Sequence, residues 1–207
     1  MVGLRERKKQ RTRGALIEAA LRLFDEKGFA ETTLAEIAAA AEVSTRTFFS
    51  YFAGKEDVVF YDSEERMELV IALVRAPRPG EGPADLLLRL IGDSMSWEST
   101  TDGFEHAATR INLIMNEPTL QARALHLLFD GQLRLVEALR EAYAYRIDPV
   151  TAAAAVGGLF GAVKLAVMAS VAADGSLEQV REAALRAAGI TARGLHAVLP
   201  HPDRSEA

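Results

Sequence analysis

The chain has 207 residues and a mass of 22.5 kDa, room for one substantial core and a small second domain. With 49 % hydrophobic and 26 % charged residues it has the composition of a folded globular protein, and the absence of cysteine excludes disulfides, thiolate metal sites and a thiol nucleophile. A net charge of −5 argues against a wholesale polyanion binder.

The charge is unevenly spread. Arg5, Arg7, Lys8, Lys9, Arg11 and Arg13 crowd the start, opposed only by Glu6. Residues 1–60 carry ten basic and nine acidic side chains, and the remainder carries fourteen and twenty. A basic tip on an acidic body reads either as a solvated arm or as a nucleic-acid contact. The tip lacks the apolar run of a secretory signal, so a cytoplasmic location is expected.

The periodicity is helical throughout, with no alternating strand pattern. A first helix is predicted from about Arg7 to Lys27, with Leu16, Ala20, Leu23 and Phe24 on one face. Gly28 should end it in a Schellman-type cap, with Phe29 folding back on Phe24. Thr33-Leu34-Ala35-Glu36 is a capping box that opens a short helix to about Ala40. Glu42-Val43 makes a turn, and Ser44 caps a third helix reaching about Tyr51. A long fourth helix is expected from Lys55 to roughly Leu73, followed by a loop at 76–83. Five more follow at about 83–97, 103–115, 118–145, 149–172 and 177–199, with Pro118 and Pro149 in first turns. The expected fold is all-α, with about nine helices. Residues 1–54 are expected to form a small head and 55–199 a larger body, with 200–207 an expected disordered tail.

Two short helices joined by a tight turn, the second capped by serine, form a helix-turn-helix. Ile37, Ala38, Val43, Phe48 and Phe52 should pack with Leu16, Leu23 and Phe24 and set the crossing angle. Thr45, Arg46 and Thr47 then face outward, where hydroxyls and a guanidinium reach base edges. Lys55 in a first helical turn opposes the helix dipole by roughly 0.3–1 kcal/mol, which suggests an anionic partner.

Residues from about Arg13 to Val59 resemble the DNA-binding domain of the TetR family of transcriptional regulators. The resemblance rests on Thr32-Thr33, Ile37-Ala38, Val43-Ser44, Thr47-Phe48-Phe49-Ser50-Tyr51-Phe52 and Lys55-Glu56 at this spacing. It implies that Thr45, Arg46 and Thr47 contact bases or nearby phosphates, and that Tyr51 and Lys55 hold phosphates. Thr33, Ser44 and Phe49 complete the expected DNA-contact set. Phe49 replaces a common tyrosine and can only pack against the sugar-phosphate surface. Glu42 stands where glycine is frequent, which should alter the turn. Ala35 offers the second helix no polar reach.

The segment from Val150 to Val171 is uncharged except at Lys164, and its length approaches a membrane span. Its alanines, glycines and central lysine favour a subunit interface instead. Similar family members pair their last two helices with a symmetry mate, which implies a homodimer. Ala153, Gly157, Gly161, Val180, Ala184, Thr191 and Leu195 are the expected contacts. Met95, Trp97, Phe104, Arg110, Met115, Asn116 and Phe129 are candidate pocket residues for a small-molecule effector, being mostly apolar with a few polar groups. Plain core roles are the alternative for Trp97 and Phe129, and an ion pair for Arg110. The four histidines have no metal-ligand spacing, and no catalytic constellation, cofactor motif or phosphate-cradling loop is present, so neither enzyme activity nor a cofactor is expected. The sequence therefore points to a regulator, expected to repress from a palindromic double-stranded DNA operator until a small apolar ligand releases it. An activator of the same fold, or a helical ligand carrier without DNA binding, are the alternatives.

Overall fold

The structure is a computed structural model that describes residues 3–97, 107–173 and 175–199, with the side chains of 95–97, 107, 108 and 177 excepted. Among the described residues the regular elements are all helices: α1 (Leu4–Lys27), α2 (Leu34–Ala40), α3 (Thr45–Phe49), α4 (Lys55–Val59), α5 (Ser63–Val74), α6 (Pro83–Trp97), α7 (Ala107–Asn116), α8 (Pro118–Ala142), α9 (Pro149–Ala172) and α10 (Leu177–Val198). The expected all-α class is what the chain adopts. Its expected fourth helix is α4 and α5, separated by a turn at 60–62. The chain divides into two compact units, Met1–Ser63 with Thr109–Ala122, and Glu64–Ala108 with Arg123–Ala207. The first unit thus runs past residue 54 and takes in a later segment.

In the first unit Leu16, Ala20 and Phe24 of α1, Ile37 and Ala38 of α2, Phe48 of α3, Phe52, and Val58 and Val59 of α4 form one buried cluster. Leu23 and Val43 pack at its edge. Each fully buried Leu, Ile or Phe contributes about 1.5–3 kcal/mol, which offsets the weak intrinsic stability of helices as short as α2 and α3. Leu120 of α8 is buried in the same cluster, with Leu113 and Ile114 of α7 packed against it. Local periodicity gave no hint of those three.

Gly28 ends α1 by donating its N–H to the Phe24 carbonyl at 3.0 Å, and the Phe24 and Phe29 rings lie 4.9 Å apart. Its backbone is at φ 90°, ψ 156°, a region open to glycine, rather than in the αL conformation of the expected Schellman cap. The buried Thr32 hydroxyl is satisfied by the carbonyls of Gly28 (2.7 Å) and Leu23 (3.2 Å).

The break between α4 and α5 has a side-chain cause. Arg110 of α7 holds the Asp62 carboxylate through both terminal nitrogens, at 2.8 and 3.3 Å. Arg13 of α1 donates to the Tyr61 carbonyl. The Tyr61 ring also lies 4.9 Å from the Arg110 guanidinium and 5.6 Å from that of Arg13. These partners are 48 residues away in sequence, which is why helical patterning alone missed the turn.

The second unit is built on α5, α6, α8, α9 and α10, with Leu86, Leu87, Leu139, Val156, Leu159 and Ala184 deep in its core. Asp148 caps α9 by accepting from the Val150 and Thr151 amides, and a Ser176–Gln179 capping box starts α10. The eighth helix stops at Ala142 rather than at Tyr145, because Ala144 and Tyr145 take left-handed φ values of 50° and 58°. Arg89 and Glu81 form a largely buried ion pair at 2.6 Å, and the guanidinium holds the Glu81 carboxyl below the usual carboxylate range. By length and composition α9 could cross a membrane. Its row Ala152, Ala155, Val156 and Leu159 is instead buried in the unit's core.

Candidate nucleic-acid interface

The turn between α2 and α3 determines how α3 is presented. Glu42 occupies it at φ 55°, a left-handed conformation that disfavours a side chain with a Cβ. Val43 then donates back to the Ala38 carbonyl at 2.9 Å, which closes the turn. The departure from glycine seen in the sequence therefore carries backbone strain while the turn still closes.

Ser44 caps α3 by accepting the Thr47 amide at 3.1 Å, and its hydroxyl also bonds the Thr47 hydroxyl at 2.8 Å. The Thr33 hydroxyl is engaged in the same way in the α2 capping box, 2.7 Å from a Glu36 oxygen and 3.3 Å from the Glu36 amide. These three hydroxyls are partly committed to the fold. Thr45 and Arg46 are exposed and carry no side-chain partner among the described residues. Phe48 faces inward, and Phe49 is 56 % exposed, edge-on to Phe48 at 5.8 Å. Tyr51 lies in the turn just after α3, half-buried, with no bonded partner for its hydroxyl among the described residues.

Lys55, expected to hold a phosphate, is engaged within the chain. Its ammonium donates to the carbonyls of Phe29 (2.6 Å), Ala30 (3.2 Å) and Thr32 (3.3 Å) and sits 4.4 Å from the centre of the Phe29 ring. Three donors meet three acceptors. This lysine ties the start of α4 to the loop after α1, and that accounts for a cation in a first helical turn without any anion.

The helical register of α1 begins earlier than expected, at Leu4, so most of the basic tip is a helix face. Arg5, Lys8, Lys9 and Thr12 line one groove together with Thr47 and Tyr51. Sequence reasoning noted this charge but could not place it beside α3.

The other expected sites are less convergent. Arg110, Met115 and Asn116 belong to the first unit, where Arg110 is bound to Asp62, with its Nε buried and unbonded, and Asn116 is exposed and donates to the Asn112 carbonyl at 2.8 Å. Phe129 belongs to the second unit and is 59 % exposed on α8. Arg110 is thus an ion-pair partner in this chain, the alternative its residue type offered. Phe104 lies outside the described residues, as do the side chains of Met95 and Trp97.

Of the expected dimer contacts, Ala184 and Leu195 are buried in the unit's own core. One apolar period serves either core or interface, and on α10 these two positions serve the core. Thr191 and Val180 are half-buried, Ala153 is exposed, and the positions where Gly157 and Gly161 would carry a Cβ have no atom within 4 Å. Among the described residues no group of three metal-ligating side chains converges.

Residues 16–61 match the family described as bacterial regulatory proteins, tetR family. The chain is 36 % identical over 146 residues to the HTH-type transcriptional regulator TcmR of Streptomyces glaucescens, covering 67 % of this chain and 64 % of that protein. It is 29 % identical over 122 residues to the HTH-type transcriptional regulator HbdR of Aromatoleum sp. (strain CIB), covering 59 % and 52 %. The matches thus span less than two thirds of the length of either curated relative. In fold it is similar to SmeT, the repressor of the Stenotrophomonas maltophilia multidrug efflux pump SmeDEF, with a TM-score of 0.62, 22 % identity and coverage of 91 % and 90 %. A SmeT–triclosan complex superposes comparably, with a TM-score of 0.63, 20 % identity and coverage of 88 % and 90 %. With its helix-turn-helix, its all-helical fold and these relatives together, the chain belongs to the TetR family of bacterial regulatory proteins.

Proposed function

We propose that this protein is a sequence-specific DNA-binding transcriptional regulator, a cytoplasmic homodimer that represses from a palindromic operator and is released by a small, largely apolar ligand. The observation that carries this is the outer turn of α3. Thr45 and Arg46 project from a fully packed core with no partner of their own, and a rigid helix presenting an uncommitted guanidinium suits reading of a base edge. Residues 1–54 supply the DNA-binding part and 55–199 the dimerisation and ligand-binding part. Tyr51 serves a phosphate, and Phe49 packs on the sugar-phosphate surface.

Dimerisation is supported by an exposed apolar face on the last two helices. Val150 and Leu165 of α9 and Ile190 and Val198 of α10 are all more than half exposed, and Gly157 and Gly161 leave the α9 backbone open to close approach. This face replaces Ala184 and Leu195 as the expected interface. The likeness in fold to a repressor solved with triclosan supports an apolar effector.

Purified protein incubated with fragments of its own genome, followed by recovery and sequencing of bound DNA, tests the proposal. The expected result is enrichment of a pseudo-palindrome bound as a dimer. A monomer at micromolar concentration, or recovery no better than background at low salt, would overturn it.

A further inference from the structure

The start of α1 holds the chain's densest cation cluster. Arg5, Arg7, Lys8, Lys9 and Arg11 are all exposed and have no ion-pair or hydrogen-bond partner among the described residues. Glu6, the acidic residue in their midst, accepts a hydrogen bond from Gln10 at 3.1 Å. Five like charges within two turns repel one another, and they sit at the helix end whose dipole already disfavours cations. Lys55 escapes the same penalty because three carbonyls receive it. These five have no such relief within the described chain.

Their placement suggests what relieves them. Arg5, Lys8 and Lys9 line the groove that Thr47 and Tyr51 border from the α3 side. A polyanion in contact with the outer face of α3 would therefore pass beside them.

We propose that the first turns of α1 form a second DNA-contact surface, in which Arg5, Lys8 and Lys9 bind backbone phosphates adjoining the segment read by α3. The surface supplies sequence-independent affinity and holds the head in register, while Thr45 and Arg46 discriminate sequence. The proposal rests on the DNA-binding function given above.

The test needs no knowledge of the operator. The full-length protein and its Arg5→Gln/Lys8→Gln/Lys9→Gln variant are titrated with a mixed-sequence 40-base-pair duplex by fluorescence anisotropy, at several KCl concentrations. Each phosphate contact contributes about 0.9 to the slope of log affinity against log salt, so losing three lowers its magnitude by about 2.7 per head. Affinity at low salt should fall at least tenfold, and thermal melting should be unchanged or raised, since mutual repulsion is removed. An unchanged salt slope with wild-type binding intact would overturn the arm, and so would loss of binding accompanied by a lower melting temperature. Absence of duplex binding by the wild-type protein would instead overturn the DNA-binding function on which the arm depends.

Discussion

Five arginines of the second unit and the cations at the exposed end of the first are arranged on opposite principles. In the second unit Arg75, Arg89, Arg134, Arg140 and Arg181 each lie against a carboxylate. On the outer face of the first, Arg46 and the cluster from Arg5 to Arg11 lie against nothing in the described chain. Side-chain type and local charge do not separate these groups; their partners do. Lys55 shows the difference, since sequence context placed it with the binding cations and geometry places it with the structural ones.

Among the paired cations Arg89 should show the largest effect. Arg89→Ala leaves the largely buried Glu81 carboxylate unpaired and should cost about 3 kcal/mol in urea-induced unfolding, with duplex affinity unchanged. A loss under 0.5 kcal/mol would mean that pairing does not identify structural cations here. Lys55→Met should cost about 1–2 kcal/mol, because three carbonyls, two of them in part-buried bonds, lose a charged donor while the slope of DNA affinity against salt stays the same. A slope reduced by about 0.9 would restore this lysine to the phosphate contacts.

Smaller effects test the frame that presents α3. Glu42→Gly relieves the left-handed strain of the turn and should stabilise the protein by about 0.5–1 kcal/mol in the same unfolding experiment. Destabilisation would show that the turn favours its side chain. The Glu36 carboxyl is held down to about 2, mainly by its bond to Lys27 and then by the Thr33 hydroxyl and amide. A carboxyl depressed on folding contributes stability that is complete above its ordinary value of 4.5 and is lost as pH falls through about 2. Melting temperature followed from pH 6 to pH 2 should therefore decline less steeply in Glu36→Gln than in wild type, and parallel curves would remove Glu36 from the account.

Local chemistry was legible in the sequence where it is self-contained. The Thr33–Glu36 capping box, the Ser44 cap, the Gly28 stop and the inward Phe48 and Phe52 each involve residues within a few positions of one another, and each is present. What was not legible depends on distant partners. The turn at 60–62 is held by Arg13 and Arg110, the lysine at 55 is claimed by carbonyls more than twenty residues earlier, and Leu120 enters the first unit's core from another part of the chain. Two positions of the α10 stripe were ambiguous for a different reason. Ala184 and Leu195 satisfy the same apolar period whether they meet their own core or another subunit.

In the reading proposed above, Arg46 reads DNA and Lys55 holds the head together. It is tested most directly by measuring Arg46→Ala and Lys55→Met side by side, for discrimination between the genomic site selected by the wild type and mixed-sequence duplex, and for unfolding in urea. Arg46→Ala should lose about 1–3 kcal/mol of discrimination with stability within about 0.5 kcal/mol of wild type. Lys55→Met should lose stability and keep discrimination. The reverse pattern, with Lys55→Met failing to discriminate and Arg46→Ala binding as wild type, would contradict it.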